Sequence, residues 1–193
     1  MKLARINTCL FVATIVVCGY IIVAPLAPMT IFWVERHATH RLAQLTAQLH
    51  GPQVADLHTA PVGNRLVVPA LLLDMPINEG QTIAALRTGP WRRPGSITPD
   101  RGGNTVIAGH RYTYTNPRGV FYYLNKLQIG DEIGIFWQGK RYLYKVTSSE
   151  VVPPTDTAIE ANTPHPQLTL YTCTPLWNPK DRLVVVAKQE QHV

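Results

Sequence analysis

The chain has 193 residues, a formal net charge of +6 and three cysteines, room for one domain of about 100–200 residues and an appendage. Its basic residues are scattered, with Arg92-Arg93 the densest pair, so no basic stripe interleaved with aromatics marks a nucleic-acid partner. Cys9 and Cys18 fall in an apolar segment, which leaves Cys173 alone outside it and excludes a disulfide scaffold or a Cys-rich structural zinc site.

Residues 1–5 carry Lys2 and Arg5, and from Ile6 to Val34 no residue is charged. Roughly 20 apolar residues cross a bilayer core, whereas a cleavable signal segment has an apolar run of only about 7–15. Residues 6–34 are therefore expected to be a retained, single-pass transmembrane helix. The positive-inside tendency puts residues 1–5 in the cytoplasm and the rest outside, although Arg36 and Arg41 follow the span. Residues 35–64 read as an extracytoplasmic stalk and linker. Leu42, Leu45 and Leu49 keep helical spacing, and residues 51–64 are broken by prolines and glycines. His37 and His40 stand three apart there with no carboxylate at matching spacing, and read as solvated rather than as metal ligands.

The texture changes at Arg65. "RLVVPALLLDMPI", "NTVIAGH", "DEIGIFW", "KRYLYKV", "LTLYTC" and "RLVVVAK" are short β-rich runs separated by Gly, Pro, Asn and Asp. Their even spacing predicts an all-β barrel or sandwich over 65–193 rather than alternating βαβ units. "GVFYYLNKL" is the one stretch that reads as a short helix. Residues 147–167 form a long polar connection, and loops of that length in compact domains are commonly functional.

Cys173 closes one β-run, and Arg182 opens the next nine residues later. A thiol near neutrality is mostly protonated and needs a partner that favours the thiolate, usually His. Of seven histidines, only His110 ends a buried-looking strand, where a rigid scaffold can aim it. If the two β-runs are neighbours, Cys173 and Arg182 emerge at one rim. A guanidinium there can stabilise the oxyanion formed when a thiolate attacks a carbonyl.

"TLYTC" followed by this arginine, with "GNTVIAGHR" upstream, resembles the signature of the sortases, over roughly residues 65–188. "VVPALLLDMPINEG" is similar to that family's opening strands, and the N-terminal anchor fits it. The resemblance implies an eight-stranded β-barrel with one or two short helices, working as a transpeptidase on the outer face of a bacterial membrane. It implies Cys173 as nucleophile, His110 as proton-transfer partner and Arg182 as the oxyanion or substrate-orienting group, with Thr172 near the acyl group. "AGHRYTYTNP" looks closest to classes D and E. Residues 51–64 lack the Asp-Pro-aromatic lid of the pilin-polymerising class, so the chain reads as class D/E-like or housekeeping-like.

The implied partners are exported proteins with a C-terminal LPxTG-like sorting signal, cut between Thr and Gly, and an acceptor amine from a cell-wall precursor or a pilin-like lysine. The 147–167 connection is expected to roof the substrate groove, with Val151, Val152 and Ile159 lining it. Members of one class bind calcium through acidic residues hereabouts. Glu150, Asp156 and Glu160 are expected to be solvated, and no metal or other cofactor is expected. The alternatives are a non-catalytic membrane-tethered β-barrel binding module and a different cell-wall cysteine transpeptidase. The latter would carry a histidine close before its cysteine, and none precedes Cys173 in that way.

Overall fold

The computed structural model describes residues 2–23, 63–113 and 118–190. The chain divides into two compact units, Met1–Val54 and Ala55–Val193. In the first, α1 (Lys2–Val23) is a single helix on which Leu10, Phe11, Val16 and Tyr20 are exposed. Among the described residues no helix is long and apolar enough to cross a membrane. The expected anchor at 6–34 and stalk at 35–64 extend outside those residues.

The second unit holds eight strands: β1 (Arg65–Val68), β2 (Leu73–Pro76), β3 (Trp91–Arg92), β4 (Asn104–Ala108), β5 (Glu132–Trp137), β6 (Lys140–Val152), β7 (Gln167–Thr174) and β8 (Asp181–Gln189). They form one sheet in the order β2-β1-β5-β6-β8-β7-β4-β3. Every pairing is antiparallel except β4 with β7. The sheet curls until its edges meet. Asn78, just past β2, bridges Trp91 in β3, and its N–H and C=O bond to Pro90 and Arg92 at 2.8 and 3.0 Å. The expected eight-stranded, all-β barrel is the fold found.

Local chemistry sets the turns. Gln138 and Gly139 join β5 to β6 with φ of 50° and 76°, the two positive values that a two-residue hairpin matching strand twist requires. Between β1 and β2, Pro69 opens a 3-10 turn, Pro69–Leu71, and Leu72 takes a left-handed φ of 53° to end it. The single run read as "RLVVPALLLDMPI" is thus a hairpin.

The barrel interior is filled by Leu66, Val68, Ile107, Ile133, Ile135, Leu168, Leu170 and Val185, all fully buried. Phe121 and Leu124, from the β4–β5 connection, are as deeply buried and plug the interior. Each such side chain contributes about 1.5–3 kcal/mol through removal of apolar surface from water.

Two expectations change at this level. "GVFYYLNKL" is not an α-helix but a series of turns ending in a 3-10 turn, Leu124–Lys126. Phe121 and Leu124 are three apart, a spacing that suits a 3-10 turn as well as an α-helix. The connection expected at 147–167 is shorter, because β6 runs on to Val152, paired with β8 across a register shift between Val146 and Ser148. The polar "TSSE" is an exposed strand segment, and the true loop is 153–166, containing the 3-10 turn Ala158–Glu160.

Candidate active site

β7 and β8 run antiparallel with Thr172 opposite Leu183, Cys173 opposite Arg182 and Thr174 opposite Asp181. Residues directly opposite in such a ladder project to the same face with Cβ atoms about 4.5–5.5 Å apart. Cys173 and Arg182 are therefore cross-strand neighbours at one end of the barrel. Cys173 is a free, half-buried thiol. The Arg182 guanidinium donates a hydrogen bond to the Asp181 carbonyl at 3.2 Å.

His110 comes from the strand on the other side of β7. β4 pairs with β7 up to Ala108–Tyr171, and Gly109 N–H prolongs the ladder by donating to Tyr171 C=O at 3.1 Å. Counting on in register, His110 runs level with Cys173. Two glycines make this possible. A Cβ on Gly109 would lie 2.4 Å from the Phe121 ring, and one on Gly119 only 2.2 Å from the His110 carbonyl oxygen. The chain after β4 folds back tightly, with Phe121 N–H donating to His110 C=O at 2.9 Å. Burial lowers the His110 pKa below its ordinary 6.5, because a charged imidazolium loses hydration there. The shift favours the neutral ring over the imidazolium.

A cavity of about 360 Å³ is lined by His110, Thr172, Cys173 and Arg182 together with Ile159, Glu160, Tyr171, Trp91 and Arg93. The structure thus brings together the three residues expected to do chemistry, and Ile159 with them. It does not bring Val151 or Val152, a correction that follows from the length of β6. Val151 is 59% exposed and Val152 buried, and neither lines this cavity. Thr172 lines the cavity and also has a structural contact. Its buried hydroxyl donates to Gly109 C=O at 2.7 Å, so it ties β7 to the residue before His110.

A polar network beneath the 153–166 loop was not expected. Asn104, 2% exposed, donates from Nδ2 to the carbonyls of Ile159 and Ala161 at 3.1 and 3.0 Å and accepts from the Thr169 hydroxyl at 2.8 Å. Glu160 Oε1 accepts from Arg93 Nε at 2.8 Å and from the Tyr171 hydroxyl at 2.6 Å. The Arg93 guanidinium also lies over the Trp91 ring, 4.6 Å from its centroid. Burial first, then the hydrogen bond to the Glu160 carboxylate, push the Tyr171 pKa up, so its hydroxyl stays a donor. These contacts fix the loop that carries Ile159. The only sequence signal for them was that several of the residues fall in or beside β-runs.

The three carboxylates weighed as cation ligands are dispersed. Glu160 is engaged by Arg93 and Tyr171, Asp156 caps its own loop by accepting from Ala158 N–H at 2.9 Å, and Glu150 lies on β6. Among the described residues no group of three or more His, Cys, Asp or Glu is placed to hold a metal ion.

The "Sortase domain" family model matches residues 66–190. The chain belongs to the sortase family. It is 33% identical over 139 residues to sortase SrtE1 of Streptomyces coelicolor, covering 64% of this chain and 39% of that one. It is 27% identical over 135 residues to sortase D of Bacillus subtilis, covering 68% and 65%. This sortase therefore spans less than two thirds of the length of either relative. Among solved structures it is similar to sortase E1 of Streptomyces coelicolor with a tripeptide in the active site, with a TM-score of 0.59, 30% identity, and coverage of 67% of this chain and 88% of that one.

Proposed function

We propose that this sortase is a cysteine transpeptidase that cuts an LPxTG-like sorting signal between Thr and Gly and transfers the acyl part to an amine. The observation that carries this reading is the cross-strand pairing of Cys173 with Arg182 in a cavity that His110 also lines. His110, neutral because it is buried, takes the thiol proton as Cys173 Sγ attacks the Thr carbonyl carbon. Arg182 donates to the oxyanion, two parallel N–H groups suiting a developing charge. The imidazolium then protonates the leaving Gly amine as the C–N bond breaks, leaving a thioacyl enzyme. An amine from a cell-wall precursor or a second protein resolves it. Ile159 on the cavity wall suits the leucine side chain of the signal.

Kinship with a sortase E1 and a sortase D supports a class D/E-like reading. The uncharged run from Ile6 to Val34, preceded by Lys2 and Arg5, supports a single-pass bacterial membrane anchor with the catalytic unit outside the cell. The test uses the full chain and quenched peptides carrying LPxTG, LAxTG and related signals, with products read by mass spectrometry. Cleavage after Thr, transfer to an added glycine-type amine and loss of both in Cys173→Ala are expected. Retained cleavage in that variant would sink the assignment. An unreactive Cys173 and no cleavage of any peptide would instead favour a binding module.

A further inference from the structure

A second cavity, of about 410 Å³, adjoins the one that holds Cys173, and both are lined by Leu86 and His110. Cys173 borders only the first. The second is walled by Met75 and Val120 and carries Arg87 and Arg118, with no Asp or Glu among the described residues of its lining. The first, by contrast, mixes Arg93 and Arg182 with Asp156 and Glu160. Among the described residues Arg87 has no carboxylate partner. The wall is built closely around His110, since a side chain on Gly119 would overlap the His110 carbonyl.

We infer that the second cavity receives the acceptor amine, and that Arg87 selects acceptors that carry a carboxylate. This rests on the transpeptidase reading and supplies the chemistry of its second substrate. A group that accepts the amine proton must face both the thioester and the incoming nucleophile, and His110 lines both cavities. In the step, the amine nitrogen forms a bond to the thioester carbonyl carbon and the C–S bond breaks. The amine proton passes to His110 and from there to the departing sulfur, which restores the Cys173 thiol. Arginine suits a carboxylate because its planar fork matches two oxygens. Water, the competing nucleophile, has no anion for Arg87 to hold.

The measurement is the ratio of aminolysis to hydrolysis of the thioacyl enzyme, using the full chain, with diglycine and diglycinamide as acceptors that differ in their carboxylate. Diglycine is expected to give the higher ratio. Arg87→Ala should lower that ratio roughly two- to fivefold, the scale of an accessible charge contact, and leave the diglycinamide ratio within about 1.5-fold. Arg87→Glu should make diglycinamide the better acceptor. Equal use of the two acceptors by the unaltered chain, or equal loss for both in the Arg87 variants, overturns the inference while leaving the transpeptidase reading standing. A chain that forms no thioacyl adduct with any sorting peptide overturns both.

Discussion

Cys173 and Arg182 are directly opposed across the β7–β8 ladder, so the pair is set by strand register and not by loop conformation. Shifting either strand by one residue would send one partner to the other face of the sheet. Sites built on strands in this way hold their geometry better than sites on loops. The pairing makes Arg182 the group best placed to meet negative charge developing beside the thiol. Arg182→Ala should lower kcat by about 10²–10³, the cost of losing one oxyanion donor. Arg182→Lys should recover only part of this, since an ammonium keeps the charge and loses the fork. Iodoacetamide labelling of Cys173 should persist in both variants, showing that the thiol is still presented. Full activity in Arg182→Ala would remove this residue from the chemistry.

A pH profile tests His110 separately. Its burial favours the neutral ring and lowers its pKa below 6.5, and the ring must be neutral to take the thiol proton. Activity should therefore be retained at pH 6.5 and fall as pH drops through the lowered value, as His110 gains a proton. The acid limb of kcat/KM should have its midpoint below 6.5. A midpoint above 6.5 would mean that a different group, or a charged resting imidazolium, governs the step.

Removal of divalent cations should leave the rate unchanged. Glu160, which lines the catalytic cavity together with Asp156, already has Arg93 and Tyr171 as partners, so the loop has an internal cation to hold it. Turnover with excess EDTA or with added calcium is the measurement. A calcium-dependent change in KM would show that the loop does recruit a metal.

The chemistry was more legible in the sequence than the frame that supports it. Cys173 and Arg182 end and begin dense β-branched runs separated by a short Pro-containing loop, so their meeting at one rim follows from local pattern alone. His110 was legible because it follows the apolar β-run "NTVIA" by two residues. β3 was not, because two residues, Trp91 and Arg92, are too few to show a period. The end of β6 was hidden for another reason: residues 147–151 are all exposed, so no apolar alternation marks them as strand and Val151 and Val152 were misplaced onto a loop. The Glu160 contacts join residues 67 apart in the chain to Arg93, and no local pattern encodes a pairing over that distance.

Asn104 should matter to stability beyond its size. Replacing it with Ala leaves the Ile159 and Ala161 carbonyls and the Thr169 hydroxyl without the partners they now have. Of these the Thr169 hydroxyl is buried while Ala161 is exposed. A buried polar group left unsatisfied costs about 1–3 kcal/mol, so Asn104→Ala should lose about 1–3 kcal/mol in chemical denaturation. Because the loop carries Ile159, the variant should also bind the sorting peptide less well. A loss below about 0.5 kcal/mol would mean that water replaces the amide without cost.

Glu160 holds the same loop from the cavity side, and its effect should appear in substrate binding more than in stability. The Arg93–Glu160 pair has both side chains 30% exposed, so screening limits it to about 1 kcal/mol. Glu160→Gln keeps the shape and an acceptor oxygen while removing the charge that holds Arg93. KM for the sorting peptide should rise roughly three- to tenfold, with kcat changing less than about twofold, since neither Glu160 nor Arg93 is asked to touch the reacting atoms. Arg93→Gln should have the same signature, and the double variant should be no worse than either single one, because one latch is being opened twice. Additive losses would mean that Arg93 and Glu160 act on the substrate independently, Arg93 then reading the peptide directly from its place over Trp91.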